Sequence, residues 1–363
     1  WFNKPLDEVE AYLLDTHNRF WNRILEFVER LPTVSGYTTV RNVIEQKYPW
    51  RQSINSLLSF CDEVVVIDGG SDDGSYEKLL EWEKEEQKLV VKQVARDWSS
   101  KRFSVFDGLQ KAEARALCTS DWCWQQDIDE VVHEEDAPRI KKLAANLPKA
   151  MHLLALPVVE YWGDKGKVRV DVNPWKWRLS RNLDHITHGI PDELRNYDDS
   201  GELYASPGTD GCDYIDKDTN RRIAFSTFYT PDAHNVRNSA LQGSGEALAA
   251  YEKWINAVVQ ELPGVHHYSW FDLERKINTY KNYWSKHWQS IFNMEQKDTA
   301  ESNMFFDKPW TEVSDEDITS LAEKMESEMG GWIFHNKIDF SKATPYIKIE
   351  RNHPIFMEEK VDE

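Results

Sequence analysis

The sequence predicts an α/β fold in which a mostly parallel β-sheet is flanked by helices. Short apolar strands alternate with amphipathic helical stretches over residues 36–126, which is the rhythm of a parallel sheet built through crossover helices. Charged residues follow three of these strands, at Asp68, Arg96 and Asp127. Ligands of such sheets gather beyond the carboxyl ends of the strands. The sequence therefore predicts a ligand site along that edge.

The spacing of apolar residues and the positions of helix-breaking residues predict the individual helices and strands. Apolar side chains three, four or seven residues apart predict an N-terminal helix over residues 6–31, which Pro32 ends. Runs of β-branched and apolar residues predict the strands. The strands are expected at 36–44, 64–67, 89–94, 122–126, 152–162 and 167–172, and further helices at 51–61, from 76 onwards, near 106–117 and at 247–262, 270–291 and 315–329. A stretch rich in Gly, Asp and Asn, residues 196–220, is expected to be a long loop or insertion.

Composition excludes several classes of protein. A chain of 363 residues is longer than one hydrophobic core usually organises, so one large domain with helical additions is expected. No apolar run approaches the roughly 20 residues of a membrane span, so a soluble protein without a transmembrane segment is expected. The net charge of −19 argues against nucleic-acid partners, because a polyanion would be repelled. The four cysteines form no CxxC pair, which favours free thiols in a reducing cytoplasm.

The strongest chemical signal is the pair of acids in QQDIDE, residues 125–130. Asp127 and Asp129 flank Ile128 where the chain leaves a predicted buried strand, so both carboxylates can turn toward one site. Two such carboxylates repel each other unless a cation lies between them. Mg²⁺ or Mn²⁺ prefers oxygen ligands together with a substrate's phosphates. The competing interpretation is an acidic turn that opens the next helix; the strand context favours the metal site.

Two further clusters follow neighbouring strands. IDGGSDDGS, residues 67–75, ends a strand on Asp68, whose carboxylate suits a ribose hydroxyl or a base N–H; a helix-capping turn is the alternative. The dinucleotide fingerprint GxGxxG is absent. ARDWSSKRF, residues 95–103, offers Arg96, Lys101 and Arg102 to a phosphate, or salt bridges to the nearby acids.

Two polar segments later in the chain carry candidate ligands and bases. His267, next to His266, comes between two predicted helices and is a candidate third metal ligand through a ring nitrogen; by spacing alone, a structural histidine is the better interpretation. Residues 178–198 contain Asp192 and Glu193, either of which suits a general base that removes a proton from an attacking hydroxyl. A polar loop with a Pro-initiated helix explains that pattern at least as well.

These clusters, in this order, resemble the family-2 glycosyltransferases of the GT-A fold. The resemblance is closest to the branch with a DADE-type metal motif and a later HGxxHE-type segment, which includes peptide and lipopolysaccharide-core sugar transferases. It covers residues 38–268 patchily and rests on VVVIDGGSDDGS, DWSSKRF, DWCWQQDIDE, WRLSRN, HGIPDEL and HHY. It implies a Rossmann-like sheet and the metal-dependent transfer of a hexose from a nucleotide sugar, usually a UDP-sugar, to a hydroxyl of a glycan, a lipid-linked molecule or a protein.

The resemblance also implies donor-binding, metal-binding and catalytic roles for matching residues. Those expected around the base, ribose and phosphates of the donor are Thr39, Arg41, Asp68, Arg96, Arg102 and Asp127. Those expected to hold Mn²⁺ or Mg²⁺ are Asp127, Asp129 and His267. The base expected to activate the acceptor is Glu193 or Asp192.

The chain departs from the family pattern in two places. Ile128 stands where the family usually has a small residue between its acids, and Asp192-Glu193 stands where the family has His-Glu, so either acid aligns with the base.

Attack opposite the leaving group would invert the anomeric carbon, although no sequence feature fixes the stereochemistry. The expected division is a helical segment at 1–35, a catalytic domain at 36–269 with an enlarged acceptor-side region at about 196–262, and a C-terminal helical extension at 270–363.

Two other functions share part of the pattern. A nucleotidyltransferase acting on sugar phosphates also uses paired acids, a metal and an open α/β sheet, but it normally has a Gly-rich loop with a basic residue after its first strand. Residues 38–50 lack such a loop. A non-catalytic carbohydrate-binding protein would use some of the 16 Trp residues, but it has no need for metal-spaced acids. Glycosyl transfer is the favoured prediction.

Overall fold

The computed structural model describes the chain in seven main ranges, which are 31–97, 103–148, 151–164, 166–184, 225–284, 298–328 and 338–358. Short pieces at 14–15, 186, 196–197, 203–204, 214–215, 222–223 and 330–331 are also described. Nearly all of the predicted N-terminal helix lies outside these residues, and so does most of the predicted loop at 196–220. Arg102, Asp192 and Glu193 lie outside them too, so the roles assigned to these three residues stay predictions.

Within the described residues, eleven strands form one mixed sheet. They are β1 (Val34–Val40), β2 (Glu63–Asp68), β3 (Leu89–Gln93), β4 (Trp122–Gln125), β5 (Glu130–Val132), β6 (Leu153–Trp162), β7 (Lys167–Arg169), β8 (Trp175–Arg181), β9 (Phe225–Thr227), β10 (Val265–Trp270) and β11 (Tyr346–Lys348). Shorter ladders join Asn196–Tyr197 to Leu203–Tyr204, Tyr214–Ile215 to Arg222–Ile223, and Gly330–Gly331 to Asp339–Ala343.

The described α-helices are α1 (Trp50–Leu58), α2 (Ser75–Glu85), α3 (Phe103–Ala116), α4 (Ala137–Asn146), α5 (Pro231–Leu241), α6 (Gly245–Glu261), α7 (Leu273–Thr279) and α8 (Asp315–Glu328). A π-helical turn, Tyr280–Trp284, continues α7, and short 3₁₀ turns lie at Trp310–Glu312 and Ile355–Met357. In the part of the chain that the structure describes, no helix has the length and apolar character of a membrane span.

Four strands in the order β4-β1-β2-β3 form a parallel core. Residues 64–67 of β2 are wholly buried, as expected of a parallel strand that is covered on both faces. The strand order reverses at β1, because β2 and β3 lie on one side of it and β4 on the other. A reversal of this kind leaves a crevice beyond the carboxyl ends of the two central strands, where ligands of open α/β sheets bind. The predicted α/β fold with parallel central strands is confirmed.

The rest of the sheet is built around β6, whose ten residues are all buried. β6 runs antiparallel to β7 and β8 and parallel to β9 and β10. β10 also pairs antiparallel with β5, so it lies between β5 and β6. The turn after β4 leads into β5, so it lies on one side of β10. The carboxyl half of β6 lies on the other side.

The structure differs from the helix predicted over 270–291. Trp270 ends β10, and α7 begins at Leu273 after Asp272, whose carboxylate accepts a hydrogen bond from the Arg275 N–H at 2.8 Å. The apolar residues from 270 onwards do fit a helical period. Pairing of β10 with strands on both sides determines its backbone instead, and a period within one segment does not reveal such pairing.

The C-terminal part contains strand as well as helix. β11 pairs antiparallel with β7 and so joins the main sheet. Arg351 then forms a two-pronged ion pair with Asp136, with nitrogen–oxygen distances of 3.0 and 2.9 Å, and both side chains are buried. The segment after β11 therefore packs against the start of α4.

Candidate active site

A cavity of about 300 Å³ opens beyond the carboxyl ends of β1 and β4, at the reversal point of the sheet. Its wall includes five of the residues predicted from the sequence, which are Thr39, Arg41, Asp127, Asp129 and His267. Further polar residues of the wall are Gln46, Tyr48, Asp107, Gln110, Lys111, Ser269, Lys276 and Tyr283. A ligand in the cavity would therefore contact β1, the turn after β4, α3 and β10 at once.

Strand pairing places His267 between carboxylates. In the sheet register His267 lies opposite Glu160 of β6 and Glu130 of β5. The imidazole Nε2 is 3.2 Å from Asp129 Oδ1, and Nδ1 is hydrogen-bonded to Glu160 Oε2. The Tyr268 N–H also donates to the backbone oxygen of Asp129 at 2.8 Å. Asp129 and His267, two of the three predicted metal ligands, lie 138 residues apart in sequence and are thus side by side in the fold.

Burial and charge act in opposite directions on this group. Burial by itself would raise the pKa of Asp129 and of Glu160, but the neighbouring His267 holds the pKa of both carboxyls below the ordinary range. Burial would lower the pKa of His267, yet Glu160 and Asp129 raise it to about 9. His267 is therefore protonated at neutral pH, and a cation that binds its ring nitrogen must displace that proton.

The chemistry of Asp129 and His267 fits a hard divalent cation. They offer a carboxylate oxygen and a ring nitrogen at one point of the cavity, and Glu160 on the other ring nitrogen is the arrangement that orients metal-bound histidines. Within the described ranges, no group of three or more His, Cys, Asp or Glu side chains is placed to hold a metal ion. A cation here would have two protein ligands and complete its shell with water or a bound phosphate, as Mg²⁺ commonly does.

Asp127 belongs to a cluster of opposite charges. Its Oδ1 is 2.8 Å from Lys111 Nζ, and its Oδ2 is 3.1 Å from Arg178 Nη2 and 3.3 Å from Lys176 Nζ. The buried Glu130 pairs with the same Arg178 and Lys176 at 2.6 and 2.9 Å. Burial would raise the pKa of Asp127, but Lys111 and Arg178 hold it well below the ordinary value. Both carboxylate oxygens are thus bound to cations, and the roles of Asp127 toward a metal and a donor stay predictions.

The acidic loop after β2 is held by its own hydrogen bonds. Asp68 is fully buried, and its Oδ1 accepts from Gly70 N, Ser71 N and Gln93 Nε2, each at 2.9 Å. Its Oδ2 accepts from the Ser71 hydroxyl. Gly70 has a φ of +88°, a conformation that favours glycine. Asp68 therefore shapes this loop and is not part of the cavity wall, so its contact with uracil or ribose stays a prediction.

Two further acids of this loop support the segment that follows β1. Asn42 Nδ2 donates to Asp72 Oδ1 at 2.6 Å, and the Asp72 N–H donates back to Asn42 Oδ1 at 3.0 Å. Asp73 Oδ2 accepts from the backbone N–H groups of Ile44 and Glu45 at 3.1 and 2.8 Å. The acids that interrupt the sequence after β2 thus fix the cavity wall after β1.

We expect Asp73→Ala to destabilise the protein by about 1–3 kcal/mol. Three backbone N–H groups lose a carboxylate acceptor, including that of Ser75 at the start of α2, and of the other two only Ile44 keeps a described second acceptor, Ser75 Oγ at 3.3 Å. Burial would raise the pKa of Asp73, but these hydrogen bonds lower it overall. A carboxylate with a lowered pKa in the folded state contributes stability above its unfolded pKa and loses it as pH falls. The difference between wild type and variant in urea denaturation should therefore be full at pH 7 and shrink below about pH 4; equal stabilities at pH 7 would refute this role.

Arg96 lies behind the cavity wall. Its Nε donates to Gln110 Oε1 at 2.8 Å, and its Nη2 lies 3.4 Å from Glu113 Oε1. Gln110 lines the cavity, whereas Arg96 does not. Arg96 therefore holds a lining side chain in place, and direct contact of Arg96 with a donor stays a prediction.

The charged residues of the site that sequence reasoning missed include Glu160, Lys111 and Lys276. Glu160 interrupts an otherwise apolar run in the buried β6, and a buried acid requires a partner, so that interruption was an available signal. Lys111 follows Asp107 by four residues on α3, which is a weaker signal because many exposed helices carry such pairs. Lys276 gives no local signal, since its direction depends on how α7 packs on β10.

No protein-family model matches the chain, and no curated protein matches it. Residues 1–349 of TarS from S. aureus align with 88% of this chain and 100% of that chain, at 13% identity and a TM-score of 0.32. The same fragment in complex with UDP-GlcNAc aligns at 14% identity and a TM-score of 0.30. The mannosyltransferase PcManGT from Pyrobaculum calidifontis, in complex with GDP-Man and Mn²⁺, aligns with 70% of this chain and 86% of its own at 12% identity and a TM-score of 0.31. Likeness this weak assigns no function to the chain.

Proposed function

We propose that the chain is a metal-dependent glycosyltransferase of the GT-A fold, which moves a sugar from a nucleotide-sugar donor, with UDP-sugars favoured, to a hydroxyl acceptor. The observation that carries this proposal is the contact of Asp129 with His267, backed by Glu160, at the reversal point of a parallel sheet. The adjoining cavity of about 300 Å³ is of the size class that holds small-molecule ligands. One oxygen and one nitrogen ligand beside it suit a cation whose shell a diphosphate completes.

Different residues of the cavity wall suit different parts of the donor. Thr39 and Arg41, at the end of β1, suit the nucleobase and ribose. Asp127, fixed by Lys111 on one side and Arg178 on the other, offers a carboxylate edge to ribose hydroxyls. Mn²⁺ or Mg²⁺ held by Asp129 and His267 would offset negative charge on the diphosphate.

The proposed reaction exchanges one bond to the anomeric carbon for another. The acceptor oxygen forms a bond to that carbon while the bond to the diphosphate breaks, and the electron pair of the broken bond remains on the diphosphate oxygen. Glu193 or Asp192 takes the proton of the acceptor hydroxyl. Attack from the face opposite the diphosphate inverts the anomeric carbon. The acceptor is a hydroxyl of a glycan, a lipid-linked molecule or a protein.

A panel of UDP-, GDP- and CMP-sugars tests the proposal. With Mn²⁺ the protein should slowly release the nucleotide from at least one donor, and EDTA should stop the release. The same nucleotide should raise the unfolding temperature only when Mn²⁺ is present. A nucleotidyltransferase would instead release pyrophosphate from a nucleoside triphosphate and a sugar phosphate, and a binding protein would release nothing. Absence of both nucleotide release and a metal-dependent thermal shift would rule the proposal out.

A further inference from the structure

Lys276 is a buried lysine that lines the cavity, and it forms no ion pair with the residues that the structure describes. It lies on α7, and only 7% of it is exposed. Its Nζ donates to Ser269 Oγ at 2.5 Å and lies 5.3 Å from the centre of the Trp270 ring. Among the described residues, no carboxylate oxygen is within 4.0 Å of Nζ. The side chain is thus held in one position, with its charge next to the cavity and not neutralised by direct contact.

Lys111, which also lines the cavity, differs from Lys276 because acids are in direct contact with it. Lys111 Nζ lies 2.9 Å from Asp107 and 2.8 Å from Asp127, so two acids match its charge. The acids that act on Lys276 from longer range are Asp129 and Glu160, and both of these contact His267 instead. A buried ammonium without a contacting anion is costly, because lost hydration is not replaced. An anionic ligand in the cavity would supply the missing partner.

We propose that Lys276 binds the diphosphate of the nucleotide sugar and stabilises the charge that collects on it when the sugar leaves. The inference rests on the proposed function and adds a second positive group to that site. Lys276 and the pair Asp129–His267 line the same cavity, and the charge of Asp129 acts on Lys276 from beyond contact distance, so a diphosphate bound beside the pair is expected near the ammonium. Burial lowers the pKa of Lys276 to about 8, which still leaves most of the amine protonated at neutral pH. The proton of the acceptor hydroxyl goes to the carboxylate base and not to Lys276. A positive charge that is already fixed in position requires little reorganisation during the reaction.

Substitution at Lys276 separates this role from packing. Lys276→Met keeps an unbranched apolar stem against Trp270 and removes the charge, whereas Lys276→Arg keeps the charge. Lys78→Met makes the same exchange at an exposed position of α2 and serves as the matched control. Calorimetric titration in Mn²⁺ with UDP and GDP, and with uridine and guanosine, measures the contribution of the diphosphate. A lost charge-assisted hydrogen bond should weaken diphosphate binding by about 10- to 100-fold and leave nucleoside binding unchanged.

The wild-type protein provides a second measurement that does not depend on the folding of a variant. Acetic anhydride labels lysines, and mass spectrometry reports each site. UDP or GDP should slow the labelling of Lys276 several-fold, while uridine or guanosine should not.

The outcomes separate the two proposals. If Lys276→Met binds the nucleoside diphosphate as tightly as wild type, or if the nucleotide leaves Lys276 labelling unchanged, the role of Lys276 is refuted and the transferase proposal stands. If Lys276→Met also loses nucleoside binding in proportion, its role is packing and the inference is likewise refuted. If the wild type binds no nucleotide in Mn²⁺ and releases none from a donor, the proposed function itself fails.

Discussion

Asp129→Asn will remove the response of the protein to Mn²⁺ and leave the fold in place. The Asp129 side chain contacts His267, whereas the backbone oxygen that accepts from Tyr268 is unchanged by the exchange. In the proposed site, loss of the carboxylate removes one of the two protein ligands and a charge that would attract the cation. Donor hydrolysis in Mn²⁺ should therefore fall by at least about 100-fold, and the Mn²⁺-dependent rise in unfolding temperature should disappear. Nucleotide-release kinetics and thermal unfolding with and without Mn²⁺ check both expectations.

Two further variants serve as comparisons for Asp129→Asn. Asp315→Asn makes the same exchange at an exposed position of α8 and should behave as wild type. Glu160 orients His267, so Glu160→Gln should weaken the binding of Mn²⁺ by about 10- to 100-fold without abolishing it. An Asp129→Asn protein that still binds Mn²⁺ with wild-type affinity would show that the cation is held elsewhere.

Glu130→Gln will cause the largest loss of stability at the site, about 3 kcal/mol. Glu130 is fully buried and pairs with Arg178 at 2.6 Å and with Lys176 at 2.9 Å. Among the described residues, a neutral side chain of the same shape leaves Asp127 as the ion-pair partner of these two cations, and Lys111 already neutralises Asp127 in part. Breaking a buried ion pair is costly because one charge remains buried without its partner. Urea denaturation at pH 7 measures the loss as a lower midpoint at an unchanged slope.

Glu113→Gln is the matched control for this effect. Glu113 pairs with Arg96 at 3.4 Å, but its side chain is 45% exposed, so water replaces the lost interaction. The expected change in the free energy of unfolding is below about 1 kcal/mol. If Glu130→Gln cost no more than Glu113→Gln, the buried ion pairs of Glu130 with Arg178 and Lys176 would not stabilise the protein.

The parallel core is readable in the sequence because each strand carries its own signal. β2 is an apolar run that ends in Asp68, and β4 is followed two residues later by Asp127. The observed strands begin and end within about two residues of the predicted ones for β2, β3 and β4. The order of those strands, and so the reversal at β1, depends on pairing between segments. Hydrophobic periodicity contains no information about which strand lies beside which.

The position of His267 shows the same limit at the level of chemistry. Spacing alone makes His267 an ordinary histidine, and β10 was hidden because polar residues replace the usual apolar alternation. Only the pairing of β10 with β5 and β6 shows that His267 lies between Asp129 and Glu160. Long-range pairing therefore brings the site together. In the sequence, position makes His267 only a weak candidate ligand, and the resemblance to a known family strengthens that candidate.

The acid-rich loop after β2 shows how one pattern supports two explanations. Its residues suit a ligand, and they also suit a turn that satisfies backbone N–H groups. In the structure Asp68 and Asp73 accept hydrogen bonds from their own loop and from the segment after β1. Residue type did not separate these roles, because a carboxylate binds a backbone N–H as readily as a ribose hydroxyl.

A crystal soaked with Mn²⁺ and UDP tests the central claim most directly, because manganese is located by its anomalous scattering. We expect one manganese peak about 2.0–2.3 Å from an Asp129 carboxylate oxygen and from His267 Nε2, with oxygens of the diphosphate completing its shell. In that state the hydrogen bond between His267 and Glu160 should remain, and the direct contact between His267 and Asp129 should be replaced by the cation. Bound UDP with no manganese at these two side chains, or with manganese held by other residues, would contradict the proposed metal site.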